Sequence, residues 1–344
     1  MFKFLSDAAP KVIALSDRFP WAMPLFGFGS GLASFLLVDR NQELARVIAV
    51  MVLASWCWFL AEKLVQKLTR KWFGFQMPHA LVTYAAQLVH QESLFFVIPF
   101  LFITTAWNTG QSVYTAILLL AALISLIDPI YFRWLEPRRS LYFAFQGLTL
   151  FAVLQTLLPI IFQLPTAKSY FWSLGIATGI IVAGVGSERR WQWWKRALAI
   201  VSLITLLISI GLYAKRWIPP AVVWLTDVAI TSQIDSAERA PKDNLKSLTD
   251  SELRKGLYAY TAISAPRGLN ERIYHEWRLN GRLIDKVPLD IRGGRKEGYR
   301  AWTHKVNFPP NAIGRWQIRV VTEADQQIGV LRFRVVEGER ELDN

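Results

Sequence analysis

Gln87, His90, Gln91 and Glu92 interrupt a long apolar stretch, between the runs ALVTYAA and LFFVIPFLFITTAW. On a helix Gln87, His90 and Gln91 stand at i, i+3 and i+4 and share a face with Thr83, so they would line one polar seam of a bundle. An ionisable group in hydrocarbon is costly, and where one persists it commonly relays protons or contacts substrate. His90 and Glu92 could then serve as acid and base. The alternative reading lays residues 79 to 91 along the cytoplasmic interface, which keeps Glu92 in water and shortens the span. Asp128, immediately before Pro129, either reaches the same seam or forms an interfacial ion pair with Arg133 or Arg138; the ion pair is the expected arrangement.

A second constellation is cationic. Arg292, Arg295, Lys296 and Arg300, with His304 and Lys305 beyond them, flank the turn RGGRKEG, whose glycine backbone could approach a phosphate or carboxylate closely. Envelope polymers and lipid headgroups carry such groups. A solvated hairpin balanced by Glu297 accounts for the same residues equally well. His275, beside Trp277, reads as a hydrogen-bonded structural histidine. No Ser/His/Asp order with nucleophile-elbow spacing, no phosphate-binding loop and no HExxH occur, and the four histidines are scattered. The single cysteine, Cys57 in LASWCWFL, excludes an intramolecular disulfide and a thiolate cluster, and reads as a small buried hydrophobe. Neither a metal nor a cofactor is implied, and no residue is assigned a catalytic role.

The elements that must hold these groups are apolar. Spans of about 20 apolar residues cross a bilayer, and seven segments fit, at 21 to 38, 44 to 61, 80 to 107, 111 to 132, 140 to 164, 168 to 186 and 197 to 217. The first begins near Trp21 without a small-residue cleavage site after it, so no cleavable signal peptide is expected. Gly175, Gly179 and Ala183 form a small-residue stripe expected to pack within the monomer. The cluster RRWQWWKR at 189 to 196 reads as an aromatic and basic interfacial anchor.

Charge tests the arrangement. Of the net +13, residues 1 to 217 contribute 19 basic against 9 acidic groups, and residues 218 to 344 contribute 20 against 17. The excess belongs to the apolar half, where it reports orientation rather than a polyanion, so nucleic acid is not an expected partner. Fourteen basic residues fall in the N-terminus and in the loops 62 to 79, 133 to 139 and 187 to 196, while the intervening loops hold only Arg40 and Lys168. That asymmetry predicts a cytoplasmic N-terminus and a C-terminal part on the periplasmic side of a bacterial inner membrane.

After Pro219-Pro220 the pattern changes to period-two alternation, predicting strands at 224 to 234, 257 to 264, 272 to 279, 283 to 291, 299 to 306, 315 to 322 and 328 to 336. Asn280-Gly281 suits a two-residue hairpin turn. Thr249 and Glu252 have capping-box spacing, and Gly256 can end the short helix that follows. Trp277, Trp302 and Trp316 supply core bulk. The runs ERIYHEWRLNGRLIDKVPLDIRGG, YRAWTHK and GRWQIRVVTEADQQIGVLRFRVV resemble the bacterial family of unknown function DUF2914 over roughly 225 to 337, through Tyr274, His275, Trp277, Asn280 and Gly281. The preceding part is similar to an uncharacterised multi-span family often found upstream of it. Neither resemblance implies an activity, substrate or cofactor.

The expected architecture is therefore a membrane all-α bundle of about seven helices over residues 1 to 217, then an all-β immunoglobulin-like sandwich over 218 to 344. The leading functional expectation is an envelope protein whose outer domain binds an anionic polymer, a lipid headgroup or a periplasmic protein. The alternative is a transporter or lipid-substrate enzyme using the seam at His90 and Glu92.

Overall fold

The computed structural model describes residues 29, 42–61, 67, 71, 79–185, 192–295 and 297–337. Its helices are α1 (Gln42–Leu60), α2 (His79–Thr104), α3 (Gln111–Leu126), α4 (Arg139–Phe162), α5 (Thr166–Val185) and α6 (Trp193–Ala214). A π-helical turn, Tyr131–Leu135, lies between α3 and α4. The chain divides into two compact units, one of Met1–Phe102, Thr115–Leu157 and Trp172–Ile210, the other of Ile103–Tyr114, Leu158–Phe171 and Gly211–Asn344. The second unit thus combines the β-rich C-terminal part with short helical stretches from much earlier in the chain.

Among the described residues three helices are long and apolar enough to cross a membrane, Val82–Thr104, Arg139–Phe162 and Trp193–Trp217, or four if a bent pair counts as one. This corrects the expected seven. The first expected segment, 21 to 38, lies outside the described residues apart from Gly29. The apolar part of α1, Arg46–Leu60, is too short, and the fourth segment is broken by a 95° bend between Gln111–Leu126 and Asp128–Leu135. The sixth forms α5, which carries Lys168 in its first turn and is not among the long apolar helices. By contrast α2 is one continuous helix of 26 residues that accommodates Pro99.

In the first unit Trp56 and Phe59 of α1 turn inward, whereas Cys57 is exposed, not buried as expected. The stripe of Gly175, Gly179 and Ala183 is also exposed, and a Cβ added at either glycine would meet nothing within 4 Å. The close helix approaches occur elsewhere. Gly147 of α4 lies against the Ile181 side chain of α5, and Gly184 of α5 lies against the Phe143 ring, so there a side chain would collide.

The second unit holds β1 (Trp224–Thr231), β2 (Ile234–Asp235), β3 (Ala240–Pro241), β4 (Ser247–Thr249), the one-turn helix α7 (Asp250–Leu253), β5 (Leu257–Ser264), β6 (Asn270–Leu279), β7 (Arg282–Arg292), β8 (Tyr299–Lys305), β9 (Gly314–Thr322) and β10 (Gln327–Val336). Strands β1-β5-β8 form one sheet, β4-β10-β9-β6-β7 a second, and β2-β3 a small ribbon. All pairs are antiparallel except β10 with β4. The seven expected strands fall within a few residues of their predicted bounds, because alternation marks the buried face along each. The β6–β7 turn places Asn280 at φ 48° and Gly281 at φ 84°, as a positive-φ hairpin requires. The capping box at Thr249 and Glu252 forms in full. Trp277 and Trp316 are wholly buried, and the Trp316 ring stacks on Phe333 at 5.8 Å. Trp302 is only partly buried, beside Tyr260 on the first sheet.

Candidate functional site

The bend after α3 explains the polar seam. Proline has no N–H to donate four residues back, so Pro129 leaves the carbonyl of Ser125 without its helical partner. Gln87 of α2 fills that gap: its Nε2 donates to the Ser125 carbonyl at 3.0 Å and to Asp128 Oδ1 at 2.7 Å. Asp128 therefore pairs with the seam and not with Arg133 or Arg138, contrary to the expected ion pair. An aspartate at the kink needs a nearby donor, and the buried amide of Gln87 is closer than either arginine.

His90, next along the same face of α2, is fully buried. Its Nδ1 lies 2.8 Å from Tyr131 Oη, and rings of Trp56, Phe59, Tyr142 and Phe145 surround it at centroid distances of 5.2 to 6.0 Å. Trp56 Nε1 donates to Ser93 Oγ at 2.8 Å. Two buried nitrogens, His90 Nε2 and Gln91 Nε2, have no hydrogen-bond partner among the described residues. Glu92 is half-buried, and among the described residues no basic group pairs with it. The structure thus joins Gln87 to Asp128 and His90 to Tyr131, and leaves Glu92 apart from both pairs. Sequence reading did not single out Tyr131, Trp56 or Tyr142, since aromatic residues in apolar segments carry no signal of which way they face.

The cationic turn is less convergent than its spacing suggested. Arg292 and Arg295 are exposed, Arg295 lying over the Tyr299 ring, and Lys296 lies outside the described residues. Arg300 donates to Glu297 at 3.0 Å and to the Glu238 carbonyl. The backbone N–H groups of Gly293 and Gly294 donate to the carbonyls of Leu269 and Ala265 at 2.8 and 3.0 Å. They are committed within the fold. Glycine is required there because the loop lies directly against the backbone of Ala265 and Pro266.

His275 of β6 ties the two sheets together, with Nε2 3.2 Å from Thr261 Oγ1 on β5 and Nδ1 3.1 Å from Thr303 Oγ1 on β8. Burial holds its pKa down at about 3, so the ring is neutral. On the same face of β6 stands Glu271, which sequence reading missed because the strand was expected to begin one residue later. Its carboxylate accepts from the backbone N–H of Thr166 at 2.8 Å and from Thr166 Oγ1 at 2.7 Å. It is only 2% exposed. Thr166 opens α5, and a first-turn N–H has no partner within its own helix, so a strand carboxylate caps a helix. Burial outweighs those two bonds and pushes Glu271 up to about 7. Alternation with Ile273, His275 and Trp277 was the available signal for its inward direction.

Further bonds join the same unit. Gln111 Nε2 donates to the Gln327 carbonyl at 2.9 Å, and Gln326 Nε2 to the carbonyls of Ile218 and Pro219 at 3.2 and 3.3 Å. Among the described residues no three His, Cys, Asp or Glu side chains converge as metal ligands would.

Comparison with known proteins adds two findings. The model of the family of unknown function DUF5924 matches residues 2–259, and that of the protein family of unknown function DUF2914 matches residues 270–335. The second match is shorter than the expected 225 to 337, and the first runs past the last helix through β1 into β5. No curated protein matches the chain. With three quarters of its length matched, the chain belongs to the DUF5924 family and carries a DUF2914 segment at its C-terminal end.

Proposed function

We propose that the chain is a bacterial inner-membrane protein whose β domain, on the periplasmic side, binds an envelope ligand or a protein partner while the helices anchor it. We read the domain as an immunoglobulin-like sandwich, a reading supported by two sheets linked face to face through His275. Orientation rests on charge: the basic segment 187 to 196 runs into the first turn of α6, and a single crossing by α6 then carries the β domain outward. Exposed Trp193 and Trp194, the latter with Lys195 over its ring, suit the interface at that end of the helix.

The observation that carries this reading is the Glu271 cap. It ties β6 through a buried carboxylate to the turn that opens at Thr166, within one compact unit, as a display platform needs and a loosely tethered module does not. Arg292 and Arg295, exposed on the β6–β7 sheet edge and the loop that follows, are the proposed contacts for an anionic envelope polymer, together with Arg300 and with Lys296, which follows Arg295 in sequence.

The test is a pair of measurements. Alkaline phosphatase fused after residue 344 is expected to be active, and cysteines placed in loops 62 to 79 and 187 to 196 are expected to resist an impermeant thiol reagent added outside the cell. An inactive fusion overturns the orientation. Binding of the purified protein to lipopolysaccharide is expected to weaken several-fold when Arg292, Arg295, Lys296 and Arg300 are all changed to Gln, and to weaken with salt. Unchanged binding removes that ligand site.

One observation favours a second reading, a transporter or lipid-substrate enzyme: the buried nitrogens of His90 and Gln91, which have no hydrogen-bond partner among the described residues, next in sequence to half-buried Glu92. Loss of the cellular phenotype in Glu92→Gln, with expression unchanged, would support it over the binding reading.

A further inference from the structure

We propose that Lys215, Arg216, Arg278, Lys286 and Arg319 form a binding site for the phosphate of an anionic phospholipid headgroup. Lys215 and Arg216 begin the 3-10 turn Lys215–Trp217 that ends α6. Arg278 and Arg319 come from β6 and β9, and Lys286 from β7. Register places Arg319 and Lys286 on either side of Glu276 in one row across three strands.

Charge in this patch is unbalanced. Glu276 takes Arg278 at 3.0 Å, Lys286 at 3.3 Å and Arg319 at 3.8 Å. Asp325 takes Lys215 at 3.3 Å and Lys286 at 3.4 Å. Arg216 is exposed and has no ion pair among the described residues. Five cations thus share two carboxylates, which leaves three positive charges for an outside anion. Their mutual repulsion registers on Arg319: partial burial, then the nearby Arg278 and Arg216, lower its proton affinity despite Glu276. A phosphate bound here would be held by charge-assisted hydrogen bonds from guanidinium forks suited to its geometry.

The place in the fold selects the kind of phosphate. The patch lies where the apolar helix ends, beside Leu212, Tyr213 and Trp217, which are 45%, 75% and 49% exposed. The rings of Tyr213 and Trp217 meet edge to face at 6.2 Å. Exposed Tyr and Trp at the end of a span sit at headgroup depth, so a lipid phosphate meets the arginines while its acyl chains lie along the helix.

The test uses the full chain purified in detergent and equilibrated with an equimolar mixture of phosphatidylglycerol and phosphatidylcholine. The lipid retained after washing is then quantified by mass spectrometry. The wild type is expected to retain phosphatidylglycerol in at least roughly fivefold excess, the factor that about 1 kcal/mol from a single basic residue at the surface gives. Arg216→Gln with Arg319→Gln should bring the ratio close to one. Arg216→Gln alone, which alters no ion pair seen here, should lower it partway, and this keeps the test valid if the double variant unfolds. Arg282→Gln with Arg332→Gln removes the same charge from elsewhere on the β domain and should leave the preference intact. Equal preference in wild type and Arg216→Gln, or equal loss in the control pair, overturns the site. Displacement of the lipid by millimolar inorganic phosphate assigns it to free phosphate and overturns the lipid source.

Discussion

Two buried titratable groups on one face of β6 pull the pH dependence of stability in opposite directions. His275 is held at about 3 against an ordinary 6.5, so the unfolded chain takes up its proton first. Its stabilisation is complete above 6.5 and is lost as pH falls from there toward 3. Glu271 is raised to about 7 from an ordinary 4.5, so the unfolded chain loses its proton first, and its contribution, complete below 4.5, is lost as pH rises through 7. Between 4.5 and 6.5 the two slopes oppose. Glu271→Gln should expose the histidine slope, with stability rising by about 1.4 kcal/mol per pH unit over that window. His275→Gln should expose the reverse. Thermal melts of the detergent-solubilised chain at several pH values decide it; two parallel profiles would mean that these groups do not control the dependence.

At the scale of elements, the α3 bend is a three-part device: Pro129 removes a donor, Ser125 is left with a free carbonyl, and Gln87 supplies the replacement from α2. Gln87→Leu should therefore cost about 1–3 kcal/mol, the penalty for buried polar groups left without a partner. Pro129→Ala restores the missing N–H, so the cost of Gln87→Leu should shrink in that background. A double-mutant cycle measures the coupling, and strictly additive effects would remove Gln87 from the bend. Helix contact is equally local. Gly147→Leu drives a side chain into Ile181 and should destabilise by about 1–3 kcal/mol, whereas Gly179→Leu, facing open space, should not.

At the scale of the whole molecule, the second unit draws together three separated parts of the chain. Residues 222–344 expressed alone should remain β-rich, because both sheets and their Trp277 and Trp316 core lie within them, but they lack Thr166. Glu271→Ala should then have little effect on the melting of that fragment and destabilise the full chain by about 1–3 kcal/mol, the penalty for a buried donor left unpaired. Equal effects in both would show that the cap carries no stability.

Sequence by itself determined the order of the main elements: apolar helices first, then seven of the ten described strands, which period-two alternation and turn residues located within a few residues, while the short β2, β3 and β4 carried no such signal. Those signals are local, since they depend on backbone preferences and on which face of a single strand or helix is apolar. It also determined that Gln87, His90 and Gln91 share a face. Only the tertiary structure decided what that face meets. Asp128 took Gln87 as partner in place of an arginine, and Cys57 and the Gly175 stripe turned outward. Glu271 found its donor 105 residues away in sequence. Pairings at such separation depend on how whole elements pack, and no local pattern of residues encodes which orphaned backbone group a distant side chain will reach.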